Sequence, residues 1–285
     1  MIKICKKMFE SLKNLIGIVL SVSTGKITLK YGVIRLMSQL SMVGIRKPDG
    51  VNWDTYHKHY LEELKITGKH NTLILQIGDI DFFQNKIRYK NTTIKPLIAS
   101  HELLYEKILQ INPRSAAEAG CGGGDHLHNL YMLNPKIELS GFDSSSGQLT
   151  TLANRHPFTG KNFNLQIADL TQPNIKLPDV SLIFTHAVLM HISEQENRFQ
   201  NAFRNLFRTN CDHILLIENW TQHNFLKFAN QYINEFTSWN GAKIYYDQSK
   251  VNNEIKCMVV SKKIMKMKIL DDYEEMLNGQ LLIKH

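Results

Sequence analysis

The chain has 285 residues, 43% hydrophobic and 21% charged, which excludes a disordered or fibrous class and suits one large domain or a smaller one with an extension. Its net charge of +8 is confined to one end: residues 1–95 hold 16 Lys/Arg against 7 Asp/Glu, whereas 96–285 hold 18 against 19. Cys5, Cys121, Cys211 and Cys257 are far apart and form no C-x-x-C pair, which argues against a disulfide framework or a cysteine zinc site and fits a reducing cytoplasm.

At the N-terminus, "MIKICKKMFESLKNLIGIVLSVSTGK" sets Lys3, Lys6, Lys7 and Lys13 ahead of the apolar run "LIGIVL". The run is too short to span a membrane, and no clear small-residue cleavage site follows it as a signal peptide requires. It reads as an N-terminal helix whose basic, amphipathic character also suits peripheral membrane contact. The basic excess of residues 1–95 is consistent with a nucleic acid, an acidic substrate or a membrane surface, and equally with an idle solvated face. "WDTYHKHYLEELKI" spaces Trp53, Tyr56, Tyr60, Leu61 and Leu64 as a helix does, and that stripe is either core or the wall of a substrate pocket. "TLILQIGDIDFF" and "KIRYK" read as short strands around a turn.

From Pro96 onward strands and helices alternate. "LIASHELLYEKILQI" is an amphipathic helix, and "SAAEAG" a short buried strand that runs into the glycines of "GCGGG". "DHLHNLYML" is a helix, "IELSGFD" (137–143) a strand, "SGQLTTLANRH" a helix and "FNLQIAD" (163–169) a strand. "VSLIFT" (180–185) is a strand, "EQENRFQNAFRNLFRT" a long helix, "HILLIEN" (213–219) a strand and "NFLKFANQYINEF" a helix. This rhythm predicts an α/β fold with a doubly wound, mostly parallel sheet covered on both faces. "AKIYYDQ" (242–248) and "EIKCMVVSK" (254–262) have no helix between them and should pair as a C-terminal antiparallel hairpin.

In such a sheet the ligand lies beyond the carboxyl ends of the strands. The stretch "AAEAGCGGGDHLHNL" (116–130) places Gly120, Gly122, Gly123 and Gly124 between a strand and a helix, where glycine lets backbone approach a ligand. Asp143 ends the next strand and is placed to accept hydrogen bonds from ribose hydroxyls; Ser144 and Ser145 remain to cap the following helix. Asp169 ends the third strand, where it either accepts from an adenine amino group or serves as an ordinary loop aspartate. The set describes an adenine-nucleoside site for a nicotinamide dinucleotide or S-adenosylmethionine.

Residues 116–262 resemble the class I S-adenosylmethionine-dependent methyltransferases. "EAGCGGG" is similar to their first motif, "GFD" to the ribose-binding acid, "IAD" to the adenine-contacting acid, and "VSLIFTHAVLMHI" to the fourth-strand segment. The resemblance implies a seven-stranded sheet with the antiparallel last strand inserted, S-adenosyl-L-methionine as cofactor, and a binding set of Glu118, Gly120, Cys121, Gly122, Gly124, Asp143, Ala168, Asp169, His191, and Thr185 through its backbone. Glu118 would meet the methionine amino end or order the loop, and Cys121 would be a small loop residue rather than a nucleophile. A dehydrogenase fits less well, because G-x-G-x-x-G requires glycine where Asp125 stands.

His186, directly after the fourth strand, is the candidate catalytic base or substrate contact. Glu218 and Asn219 end the fifth strand and can also line the pocket. His126 and His128 stand at i, i+2 and face different sides of a helix, so no shared metal is expected of them. "FTHA" replaces the "N-P-P-Y" or "D-P-P-Y" of amino-methylating nucleic-acid enzymes, which favours a small-molecule or glycan hydroxyl as acceptor. RNA methylation and a non-catalytic cofactor-binding scaffold are the alternatives. The expected organisation is an N-terminal α/β extension at 1–95 capping the substrate, a cofactor-binding domain at 96–262 and a tail at 263–285, in a cytoplasmic chain that can associate with membrane.

Overall fold

The computed structural model describes residues 73–155, 163–220, 223–247 and 255–270, and eight scattered positions before them. The chain divides into two compact units, Met1–Lys69 and His70–His285. In the first, Arg46–Lys47 pairs antiparallel with Gly50–Val51, and Trp53, His57, Lys58 and Leu61 are helical. The expected N-terminal helix with its membrane contact, and Tyr56 and Tyr60, lie outside the described residues. Among the described residues no helix is long and apolar enough to cross a membrane.

The second unit opens with a segment, 73–79, that sequence pattern assigns to a strand. It is not one. Its backbone bonds to helix side chains instead of a partner strand: Leu75 N donates to Asn129 Oδ1 at 2.9 Å, and Asn129 Nδ2 donates to the Leu73 carbonyl at 2.7 Å. The strand β1, Ile80–Phe83, starts only after the Gly78 turn and pairs with β2, Lys86–Tyr89. Gln84 and Asn85 join them with φ of 49° and 63°, the left-handed pair that matches the twist of a two-residue hairpin.

Alternation then follows the expected order: α1 Ala99–Ile111, β3 Ser115–Ala119, α2 Asp125–Leu133, β4 Glu138–Asp143, α3 Ser146–Arg155, β5 Phe163–Ile167, β6 Leu182–His186, α4 Arg198–Arg208, β7 His213–Asn219 and α5 Phe225–Glu235. β8 Lys243–Asp247, β9 Ile255–Ser261 and β10 Lys268–Ile269 close the described chain. The main sheet runs β10-β8-β9-β7-β6-β3-β4-β5. β9 is antiparallel to both β7 and β8, as the hairpin pattern required. The sheet has eight strands rather than seven, because two residues of the expected tail pair with the β8 edge. α4 starts four residues later than expected, because Glu196 and Asn197 sit at φ 54° and 58° and break the helix before Arg198.

β3 is Ser-Ala-Ala-Glu-Ala, and its small side chains let both helical layers approach the sheet centre. Ala117 and Ala119 join the core under α4 and α5, whereas Ala116 joins the core under α1, α2 and α3. Phe199, Phe203 and Phe207, one turn apart on α4, are buried on the first face; each contributes roughly 1.5–3 kcal/mol of burial. On the opposite face α1 buries Leu103, Leu104, Tyr105 and Ile108. α1 also carries the β1–β2 hairpin: Ile87 N donates to the buried Glu106 Oε1 at 2.9 Å, and the Tyr89 hydroxyl donates to Glu102 Oε2 at 3.2 Å.

Gly124, which precedes α2, has φ 77°, and a Cβ there would lie 2.3 Å from Leu152 Cγ. Gly241 has almost the same φ, 78°, with nothing within 4 Å. Gly241→Ala should therefore cost only the backbone penalty of about 1–2 kcal/mol. Gly124→Ala should add a packing clash of roughly 1–3 kcal/mol. Urea unfolding of both variants measures the difference, and equal losses would remove the steric reading of Gly124.

Candidate active site

β3 and β6 are neighbours whose chain connections leave in opposite directions, so a crevice opens beyond their carboxyl ends. The loop after β3 is folded back onto β4. Gly120 N and Cys121 N donate to the Phe142 carbonyl at 2.8 and 3.1 Å. Gly122 N donates to Asp143 Oδ2 at 3.0 Å, and Ser145 N donates to Asp143 Oδ1 at 2.9 Å. Ser145 Oγ in turn accepts from Gln148 N at 3.3 Å, so it caps α3. Asp143 thus ties the glycine loop and the residue before α3 to the β4 end.

Glu118 lies within β3 and is buried, and its Oε2 has no hydrogen-bond partner. Burial pushes its pKa well above the usual carboxylate range, and the charges of Asp125 and Asp143 push it further. Glu118 therefore resists ionisation in the free protein, with an unsatisfied oxygen held inside the field of Asp125 and Asp143. Such a field suits a cationic ligand and opposes a pyrophosphate, which would also meet Asp125 in the first turn of α2. Cys121 is buried, and its thiol is raised well above its ordinary value by burial first and then by Glu118 and Asp143; it stays a neutral thiol, not a nucleophile.

The remaining residues of the expected set are less uniform. Ala168 N donates to the Asp143 carbonyl at 2.9 Å and ties the β5 end to β4. Asp169 bonds locally: Oδ1 accepts from Thr171 N and Oγ1 at 2.9 and 2.8 Å, and Oδ2 from Gln172 Nε2 at 3.3 Å. The Thr185 hydroxyl is buried and donates to Glu218 Oε1 at 2.7 Å. Glu218 also accepts from Val188 N and Met190 N, both at 3.1 Å. It is fully buried, and burial raises its pKa despite these donors. Glu218 therefore holds the loop after β6 and does not line a pocket. Gly120 meets that loop from the other side, where a Cβ would lie 2.7 Å from Val188 Cγ2. His191 is exposed, in a single 3₁₀ turn.

His186 is the last residue of β6, with its Nε2 buried and unpartnered. It stands in a cluster that the sequence did not suggest. Its ring centroid is 4.8 Å from that of His101 and 4.6 Å from that of His126. His101 and His126 are 4.6 Å apart. Burial lowers all three pKa values: His101 to about 4, His186 to about 3, and His126 well below the ordinary imidazole value. Mutual repulsion adds to this at His186 and His126, whereas Asp125 opposes it at His101. All three are neutral at pH 7. His128 points elsewhere, with Nε2 2.9 Å from the Leu75 carbonyl, as its i, i+2 spacing from His126 implied. A signal for the cluster exists in the order of elements. Helices of this fold run against the strands, so a histidine in the first turn of α1 or α2 reaches the edge where β6 ends.

A doubly wound sheet with a glycine loop at its reversal point, and acids at the next strand ends, is an arrangement in which such sheets bind ligands. Residues 116–209 match the family model described as a methyltransferase domain. The matched stretch is therefore a methyltransferase domain, and the expected cofactor, S-adenosylmethionine, agrees with that description. No curated protein matches the chain. Among solved structures it is similar to the methyltransferase domain of bacterial CtHen1, at 16% identity over 56% of this chain and 96% of that one, with TM-score 0.48. A TehB-like methyltransferase from Corynebacterium glutamicum is 15% identical over 73% and 98%, with TM-score 0.46. Magnesium protoporphyrin IX methyltransferase from Synechocystis is 14% identical over 57% and 78%, with TM-score 0.45.

The buried Glu118 gives a pH-dependent signature. Its pKa is raised in the folded chain, so its stability contribution is present at low pH and is lost as pH rises above the ordinary carboxylate range. Asp125, Asp143, Tyr105 and Cys121 are the titratable groups coupled to it. Glu118→Gln should therefore melt increasingly above the parent as pH rises from about 5 to about 8. The same variant should lose roughly ten- to hundredfold in affinity for S-adenosylhomocysteine. A melting difference that shrinks with rising pH would contradict the buried-acid assignment.

Proposed function

We propose that the protein transfers a methyl group from S-adenosylmethionine to an oxygen of a small-molecule or sugar acceptor, bound beside the β6 end. The observation that carries this reading is the buried, unpartnered Nε2 of His186 at the carboxyl end of β6. The orphaned Glu118 Oε2 supports the cofactor half, because it lacks the cationic partner that an ammonium group provides. In this reading Asp143, at the β4 end beside the glycine loop, holds the ribose, and the backbone of the loop packs against the nucleoside. When bound, the cofactor supplies an electrophilic methyl carbon on a sulfonium leaving group. The chain's task is then to hold the acceptor oxygen in line and exclude water. A neutral His186 adds no positive charge beside a sulfonium, and its lone pair is available to orient an acceptor hydroxyl.

Thermal unfolding with S-adenosylhomocysteine and, in parallel, with NAD tests the site. At about 100 times its dissociation constant the first ligand should add roughly 2.7 kcal/mol, and NAD should add nothing. Asp143→Asn should abolish most of that shift. With labelled S-adenosylmethionine and a panel of sugars, small hydroxylated compounds and RNA, His186→Gln should lower turnover at least tenfold while retaining the thermal shift. A shift with NAD alone would overturn the cofactor reading. Methylation of RNA alone would overturn the acceptor reading.

A further inference from the structure

We propose that His101, His126 and His186 form a binding site for one divalent transition-metal ion, of which zinc is the best match. The three residues come from three rigid elements: the first turn of α1, the first turn of α2 and the last residue of β6. One ring nitrogen from each lies within 4.8 Å of the other two. A tetrahedral zinc site with bonds of about 2.0–2.1 Å places its nitrogens roughly 3.3 Å apart. Binding would therefore draw the rings inward by about an ångström, a side-chain adjustment rather than a rearrangement of the sheet.

The nitrogens have the chemistry that metal binding needs. Zinc takes neutral imidazole, and imidazole suits zinc and its first-row neighbours better than magnesium or calcium. His186 Nε2 is buried without any partner. Such an atom is costly unless something fills its lone pair. His126 is anchored from behind, with Nδ1 2.8 Å from the Tyr105 hydroxyl. That leaves Nε2 as its nitrogen for an ion, with Nδ1–H donating to Tyr105. Tyr105 is itself held, accepting from Asn129 Nδ2 at 2.9 Å, and Asn129 is fully buried. A hydrogen-bonded partner on the far nitrogen is what orients a ligating histidine and sets its tautomer. The sequence spacing of His126 and His128 correctly separates those two residues, but it does not reveal that His126 meets His101 and His186.

Three protein nitrogens leave a fourth position open to water or to an oxygen ligand. In this form the acceptor oxygen would approach the ion instead of His186 Nε2, and only this last clause rests on the acceptor proposed above. Metal binding itself stands on the cluster alone.

The test uses the tag-free full chain, stripped with chelator and titrated with zinc chloride by calorimetry, with S-adenosylhomocysteine shifts measured on the same samples. The expected result is one zinc per chain, with affinity falling at least a hundredfold in each of His101→Gln, His126→Gln and His186→Gln. His191→Gln should bind as the parent does. Tyr105→Phe, which keeps all three ligands but removes the partner of His126, should weaken binding roughly ten- to hundredfold. Cobalt(II) replaces zinc in the parent as a second readout that needs no variant, and paramagnetically shifted imidazole N–H signals should count three histidines. Absence of zinc binding by the parent, binding that survives the three substitutions, or a cobalt adduct with fewer than three shifted imidazoles would overturn the site. A retained S-adenosylhomocysteine shift in those cases would leave the methyltransferase reading standing. Zinc binding without that shift would do the reverse.

Discussion

Two buried carboxylates organise the crevice by collecting backbone donors. Asp143 takes the N–H groups of Gly122 and Ser145, so the glycine loop after β3 and the start of α3 are fixed to one strand end. Glu218 takes the Thr185 hydroxyl and the N–H groups of Val188 and Met190, so the loop after β6 is fixed to β7. Each N–H satisfied here would otherwise be an unpaired donor in a loop held largely away from water. Gly120 locks the two loops together, because no side chain fits between it and Val188. The position of His186 follows from the same arrangement, since it is the residue between Thr185 and the clamped loop.

Glu118 and its acidic neighbours do different work from Glu218. Glu118 keeps an unsatisfied oxygen, and its proton affinity is raised by burial and by Asp125 and Asp143. This is an unfavourable arrangement for the free protein, and a cationic ligand group relieves it. The cost of holding like charges close is the usual mark of a site built for binding rather than for stability. That logic separates the site from a dinucleotide fold more sharply than glycine spacing does, because a pyrophosphate would add negative charge to the same field.

Much of this was legible in the sequence, for physical reasons. Alternating strands and helices, the terminal hairpin and the strand-end acids are local patterns, and each is written within a few residues. Asp143 and the glycine loop were read from such local patterns at the strand ends where the structure has them, whereas Glu118 entered only through the family resemblance. What was not legible depends on contacts between distant segments. Residues 73–79 look like a strand, but Asn129, over fifty residues away, takes their backbone bonds. The start of α4 was misplaced because Glu196 and Asn197 both adopt left-handed backbone, which asparagine accommodates readily but a glutamate does not announce. Asp169 bonds to its own loop through Thr171 and Gln172, a local choice that the sequence left open. His101 was invisible as a site residue because a single polar position near a helix start is ordinary until the partner elements are known.

The crevice then has two poles of different chemistry. On one side stand Glu118, Asp125 and Asp143, which favour positive charge; on the other stand three neutral imidazoles, which offer lone pairs without adding charge. A sulfonium and a divalent ion placed in one crevice would repel each other, and neutral ligands alone would do nothing to offset that. Asp125 is the residue that bridges the two poles. It raises the proton affinity of His101 and of Glu118 together, so its field reaches both. It opens α2 one residue before His126, and its position at a helix start is favourable for a carboxylate in its own right. The residue that departs from the dinucleotide glycine pattern is thus also the one whose charge would offset the repulsion between a cationic cofactor and the proposed metal ion.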